Sequence, residues 1–225
     1  MNTEKKQHIV RVAVRLILAV QLLMLVGVLG AQAQTASDLL KKAAASYEQA
    51  SGIEAKFTLR ARSASTHSGE SFEGVIYMKG DKFKLQTPDM ITWYDGETQW
   101  TYVVRTEEVN VTTPTGEELQ FTNPAVLLQN YQKGFDATLK GTSTTQQGKA
   151  AYDIELTPRK KSDLRSVVLQ IEKASTFPAS IDLETKDGMR HTIVISQWQT
   201  SLNLADDYFV FPEGEYPEAE VVDLR

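Results

Sequence analysis

Two histidines, His67 and His191, lie beyond the first thirty-three residues, and neither has the company that makes an imidazole a general acid or base. His67 falls in the polar stretch Ser63–Glu70, which reads as a loop, and His191 opens a strand-like segment, so both read as surface residues. An envelope enzyme acting on lipid or glycan has support only from scattered carboxylates such as Asp153 and Glu155. The chain has no Cys, no H-x-x-x-H and no EF-hand loop, so no metal is expected. It also lacks a nucleophile elbow, a P-loop and a dinucleotide fingerprint, so the sequence predicts neither a cofactor nor an enzyme. The basic run Pro158–Arg165 stands out in an acidic chain; it suits either a solvated hairpin loop or contact with an anionic partner or lipid headgroups.

Residues 1–33 read as an export signal that is removed. Lys5, Lys6, Arg11 and Arg15 precede the apolar run Leu16–Gly30, which ends in Ala31-Gln32-Ala33. The run is shorter than the roughly 20 residues needed to span a bilayer. Without Cys there is no lipidation site and no disulfide, so a soluble periplasmic protein is expected. The signal carries four Lys/Arg and one Glu, so the net charge of −5 becomes −8 for residues 34–225. That acidity argues against a nucleic-acid partner. The remaining length fits a single domain.

The elements that must hold any site begin with an amphipathic helix over residues 36–50. Leu39, Leu40, Ala43, Ala44 and Tyr47 fall at helical spacing, Ser37 or Asp38 is placed to cap, and Gly52 follows as a stop. From Ile53 the period changes to two, with Ile53, Ala55, Phe57, Leu59 and Ala61 on one side of a strand. Similar segments follow at 72–79, 82–86, 90–94, 98–104 and 108–112, and Asp95-Gly96 predicts a two-residue hairpin. Asn123-Pro124 opens a second short helix carrying Leu127, Leu128 and Tyr131. Strands resume at 135–141, 150–157, 165–172, 179–185 and 191–198, with Lys186-Asp187-Gly188 as another turn. Tyr208–Pro212 is the last patterned piece, and the acidic Glu213–Arg225 is expected to be loosely attached.

About eleven antiparallel strands must curl to bury one face, and each helix must bury its stripe. This predicts an α+β, mainly β fold: an incomplete antiparallel β-barrel with a helical lid on its concave side, one helix from each half of the chain. Alternation assigns Phe57, Leu59, Ile76, Met78, Phe83, Leu85, Trp100, Tyr102, Ile154, Ile181 and Ile193 to one apolar face, with Leu127 and Leu128 on the lid. Such a face either lines a void or is a filled core, and the pattern alone leaves both open.

The ordered set Phe57, Gly74–Lys79, Phe83-Lys84-Leu85, Trp93–Tyr102, Asn123-Pro124 with Leu127-Leu128, and Tyr152–Pro158 resembles the LolA family of periplasmic lipoprotein carriers. The resemblance implies a half-barrel whose apolar face shields the acyl chains of lipoproteins, with Phe83 at the lipid-handling region. It implies partners too: an inner-membrane lipoprotein-releasing transporter and an outer-membrane acceptor, served by a monomer. In the best-studied members an Arg-Pro pair follows the Lys matching Lys79, and that Arg latches the lid; here Gly80-Asp81 stands instead. The related fold also serves sensors of mislocalised lipoproteins, so an envelope sensor or scaffold binding a membrane regulatory protein is the alternative.

Overall fold

The computed structural model describes residues 35–63, 69–116, 118–119 and 124–225. The signal segment, His67 and the Asn123 cap lie outside the described residues. Residues 35–225 form one compact unit.

Helix α1 (Ala36–Gln49) is capped by Thr35, just ahead of the Ser37 or Asp38 that the sequence suggests. The Thr35 hydroxyl accepts from the Asp38 N–H at 3.1 Å, and the Asp38 carboxylate in return accepts from the Thr35 N–H at 3.4 Å and from its hydroxyl at 2.7 Å, a reciprocal capping box. The cap pulls Asp38 below its ordinary carboxylate range through those hydrogen bonds. Ala36, Leu39, Leu40, Ala43, Ala44 and Tyr47 form its buried stripe, as the periodicity requires.

Twelve strands follow: β1 (Ile53–Ser63), β2 (Gly69–Lys79), β3 (Lys82–Gln86), β4 (Met90–Tyr94), β5 (Gln99–Val103), β6 (Glu108–Thr112), β7 (Phe135–Thr144), β8 (Ala150–Pro158), β9 (Leu164–Glu172), β10 (Pro178–Thr185), β11 (Met189–Thr200) and β12 (Glu220–Asp223). Helix α2 (Pro124–Gly134) lies between β6 and β7. The strands form one open sheet in the order β12-β6-β5-β4-β3-β2-β1-β11-β10-β9-β8-β7. It is an incomplete barrel whose end strands, β12 and β7, do not pair. All pairings are antiparallel except β12 with β6. Because β6 lies next to one end and β7 is the other, the connection carrying α2 must run from one flank of the sheet to the other. Both helices pack on the same face, hereafter the inner face, and touch each other.

Two turns differ from expectation. Tyr94 pairs with Gln99, so the Asp95-Gly96 connection is a four-residue loop rather than a two-residue hairpin. The Asp95 carboxylate accepts from the N–H groups of Glu97 (2.9 Å) and Thr98 (2.8 Å), an Asx turn that the extra residues make possible. The two-residue turn is Gly80-Asp81, where Lys79 pairs with Lys82 and Gly80 takes φ +61°.

The C-terminal segment is a strap, not a loose tail. Asp206–Phe209 is a short 3-10 turn, Phe209 is fully buried, and Phe211 and Tyr216 pack against Trp93 with ring centroids 5.4 and 5.7 Å away. The strap ends as β12, laid parallel on β6, and becomes the twelfth strand.

Candidate functional site

The inner face is where the expected site residues gather. Ile76, Met78, Phe83, Ile154 and Ile181 from the sheet and Leu127 and Leu128 from α2 belong to one buried cluster with the α1 stripe, and Phe83 and Ile154 have no exposed surface. Phe57, Leu85 and Ile193 are half-buried and pack against that cluster. Leu59 is half-buried beside them, paired with Ile193 across β1–β11. The cluster contains only hydrocarbon and aromatic side chains plus the Met78 thioether and tyrosine rings. It draws on both halves of the chain, β1–β4 and β7–β11.

Trp100 and Tyr102 are not on this face. Trp100 pairs with Trp93 and Tyr102 with Ile91, and all four belong to a second cluster on the outer face with Val109, Val111, Phe211 and Tyr216. Between them, the inner face of β4–β6 carries a polar row. Thr92 is buried opposite Thr101, their hydroxyl oxygens 3.4 Å apart, and Asn110 continues the same row. The parity of β5 is therefore inverted from expectation, because the strap gives this part of the sheet an apolar outer cover.

Sequence reasoning misses an aromatic trio beneath α1. Tyr47 meets Phe177 edge-on at 5.0 Å and Trp198 at 5.7 Å, while Phe177 and Trp198 stack at 4.9 Å. Trp198 Nε1 donates to the Pro178 carbonyl at 2.9 Å, but the Tyr47 hydroxyl is buried without a hydrogen-bond partner. That burial pushes the Tyr47 phenol well above its usual range. The period-two pattern of β11 up to Trp198 is the available signal, but the bulge between Lys56 and Phe57 shifts the register there.

Among the described residues, Phe83, Ile154, Leu156 and Leu40 are wholly buried on the inner face, while Phe57, Leu59, Leu85 and Ile193 keep part of their surface exposed. A hollow of about 30 Å³, room for a single water, lies at the end of α1 beside Tyr47, Ala50, Ile53, Met78 and Gly80. A groove of about 370 Å³ opens beside Phe57, Gly74, Val75, Gln86 and Pro88. The Phe57 ring lies over Gly74, where an added Cβ would stand 2.4 Å from Cζ.

Among the described residues several polar ties join the helices to their surroundings, including Arg159, whose guanidinium donates to the Gln132 carbonyl at 2.7 Å and whose N–H donates to that of Gly134 at 2.8 Å. Tyr131 Oη donates to Ser37 Oγ at 3.1 Å, joining α2 to α1, and the Ser46 and Thr176 hydroxyls lie 2.5 Å apart, joining α1 to the turn between β9 and β10. Among the described residues no acid–base constellation appears. Asp153 accepts from the Ser143 hydroxyl at 2.7 Å and Glu155 pairs with Lys140 at 3.0 Å, both away from the apolar cluster. Among the described residues no three His, Cys, Asp or Glu side chains group to hold a metal.

Residues 26–188 match the family model described as outer membrane lipoprotein carrier protein LolA. The chain belongs to this family. The LolA-like fold agrees with the open sheet and the helices on its inner face. No curated protein matches the chain. Among solved structures, an uncharacterized conserved protein from Thermus thermophilus is similar with a TM-score of 0.58 at 15% identity, covering 84% of this chain and 98% of that one. A LolA superfamily protein from Nitrosomonas europaea gives 0.45 at 15% identity, over 80% and 99% of the two chains. MucB in its complex with MucA from Pseudomonas aeruginosa gives 0.41 at 17% identity, over 78% of this chain and 60% of that one. As a LolA-family protein the chain has a binding fold, and no helix among its described residues is long and apolar enough to cross a membrane.

Proposed function

We propose that this protein is a periplasmic carrier that shields the acyl chains of lipoproteins between the inner and outer membranes. The observation that carries the reading is the continuous apolar cluster shared by sheet and lid, in a family described by lipoprotein carriage. Each acyl CH₂ left in water costs about 0.8 kcal/mol, so a lipoprotein needs such a face in transit. The acyl chains lie on Phe57, Leu59, Ile76, Met78, Phe83, Leu85, Ile154, Ile181 and Ile193, with Leu127 and Leu128 above them. To load, α1 and α2 swing out and the cargo takes over their contacts. Burying hydrocarbon in exchange for hydrocarbon keeps the net affinity moderate, which lets an acceptor remove the cargo. Residues 1–33 direct export, a releasing transporter in the inner membrane hands over the lipoprotein, and an outer-membrane acceptor receives it from the monomer. The protein performs no covalent chemistry.

A second reading is favoured by the burial of Ile76, Met78, Phe83 and Ile154 in one cluster with the helices: an envelope sensor that recognises a membrane regulatory protein needs no standing cavity. Native mass spectrometry of the protein purified from an envelope fraction separates the two. Bound diacyl or lipoprotein mass supports the carrier. A stable complex with one membrane regulator, free of acyl mass, supports the sensor and contradicts the carrier.

A further inference from the structure

The outer face carries an unbalanced arginine cluster at one end of the sheet. Arg62 on β1 stands directly opposite Arg190 on β11, and Arg190 stands opposite Glu184 on β10. Glu184 is shared, taking Arg190 at 3.0 Å and Arg165 at 3.1 Å. Like charges directly opposite across an antiparallel pair are destabilising, so the sheet keeps Arg62 against Arg190 at a cost. Arg62 and its neighbour Arg60 are exposed and have no ion pair among the described residues.

Three registers put the cluster among the hairpin tips of one sheet end. Ser63 pairs with Met189, Arg62 with Gly69, and Leu164 with Thr185, so the β8–β9 and β10–β11 tips lie at the end where β1 stops and β2 starts. The Lys186 N–H donates to the Asp163 carbonyl at 2.8 Å, joining these two tips. The β8–β9 tip is the basic run of the sequence, with Lys160 and Lys161 exposed. The acidic groups at this end are Glu70, Asp136, Asp163, Asp182, Glu184 and Asp187; Asp136 is paired with Arg159, and Asp187 is engaged by the Thr185 hydroxyl. The cations Arg60, Arg62, Arg159, Lys160, Lys161, Arg165, Lys186 and Arg190 outnumber them, in a chain whose net charge is −5.

We propose that this end of the outer face docks the protein on an anionic lipid bilayer, with the guanidinium groups of Arg62 and Arg190 on lipid phosphates and Lys160-Lys161 in the same surface layer. Guanidinium forks match phosphate oxygens bidentately, and an anionic surface relieves the Arg62–Arg190 repulsion. The inference deepens the carrier reading only in supplying the surface at which cargo is collected or delivered; the docking face and the apolar inner face are separate.

The test is co-sedimentation of the purified protein, as processed by its host, with vesicles of phosphatidylcholine alone or mixed with phosphatidylglycerol. Binding to the mixed vesicles, loss on phosphatidylcholine alone and loss in high salt are expected. Each cation near an anionic surface contributes about fivefold in partitioning, so Arg62→Gln with Arg190→Gln should weaken binding about 25-fold, and Lys160→Gln with Lys161→Gln similarly. Equal binding to both vesicle types, no effect of either double variant in a folded protein, or binding of soluble polyglutamate with no vesicle binding would each overturn it. An acyl probe is titrated in parallel. Probe binding without vesicle binding sinks the docking inference alone, and vesicle binding without probe binding sinks the carrier reading alone.

Discussion

Lys79 Nζ donates to the Asp206 carboxylate at 2.8 Å and to the Leu204 carbonyl at the same distance, tying the sheet to the C-terminal strap. Lys82 adds a second ion pair to the other carboxylate oxygen at 2.9 Å. Lys79 precedes the position where the resembling family carries its latch arginine, but in this chain its charge is committed to the strap rather than to the lid.

That tie has a pH dependence. The lysines pull Asp206 from its ordinary value of 3.8 down to about 2, mainly through their hydrogen bonds. A depressed carboxylate contributes fully above its unfolded value and loses that contribution as pH falls through the folded one. The strap should therefore loosen between about pH 4 and pH 2, reported by fluorescence of Trp93, which packs on Phe211. Asp206→Asn should remove that step. A step of unchanged size in the variant would contradict the assignment.

Gly74 has its place because Phe57 covers it. A Cβ there would also stand 2.9 Å from the Gln86 carbonyl oxygen, which backbone pairing holds in place. Gly74→Ala should cost about 1–3 kcal/mol of stability in urea denaturation, as overpacking does. Adding Phe57→Leu should recover part of the loss, because it removes the ring but not the carbonyl clash. Full additivity of the two changes would separate the residues energetically.

Tyr47→Phe should leave stability unchanged or raise it by about 1 kcal/mol, because the lost hydroxyl has no partner where it is buried. Thermal denaturation checks this. A loss of about 2 kcal/mol or more would mean the hydroxyl makes an interaction that holds α1 in place.

The legible parts of the sequence are those with one wet face. The α1 stripe and the β1–β2 alternation can be read directly, because in each the polar residues mark the side away from the core. On β4 and β5 both faces are covered, so Trp93 and Tyr94, adjacent in sequence, are each buried in a different cluster. Alternation then cannot say which face is inner, and it puts Trp100 and Tyr102 on the face they do not occupy. The strap is hidden by composition: its acidic residues suggest solvent, while Phe209, Phe211 and Tyr216 carry its attachment. Helix α2 is legible from its Asn-Pro start and its leucines. How closely the lid fills the inner face is not, because void and core share one pattern.

The two clusters give a spectroscopic contrast. The chain has three tryptophans, Trp93 and Trp100 on the outer face and Trp198 under α1. A lipopeptide with brominated acyl chains should quench Trp198 strongly in Trp93→Phe with Trp100→Phe, and leave the other two largely unquenched in Trp198→Phe. Quenching centred on Trp93 and Trp100 would place the acyl chains beneath the strap instead.

In the proposed carriage acyl chains displace α1 from the inner face, and the most direct measurement pins it there. Ser46 on α1 and Thr176 have their hydroxyls in contact, and the chain has no Cys, so Ser46→Cys with Thr176→Cys can form a single defined cross-link. Binding of a diacyl lipopeptide is then followed by native mass spectrometry with the pair oxidised and reduced. One bound lipopeptide per protein is expected when reduced, at the unmodified protein's affinity, and binding weakened by about tenfold or more when oxidised, since one discrimination of that size corresponds to about 1.4 kcal/mol. Equal binding in both states, with the cross-link confirmed by mass, would contradict the displacement of α1 by cargo.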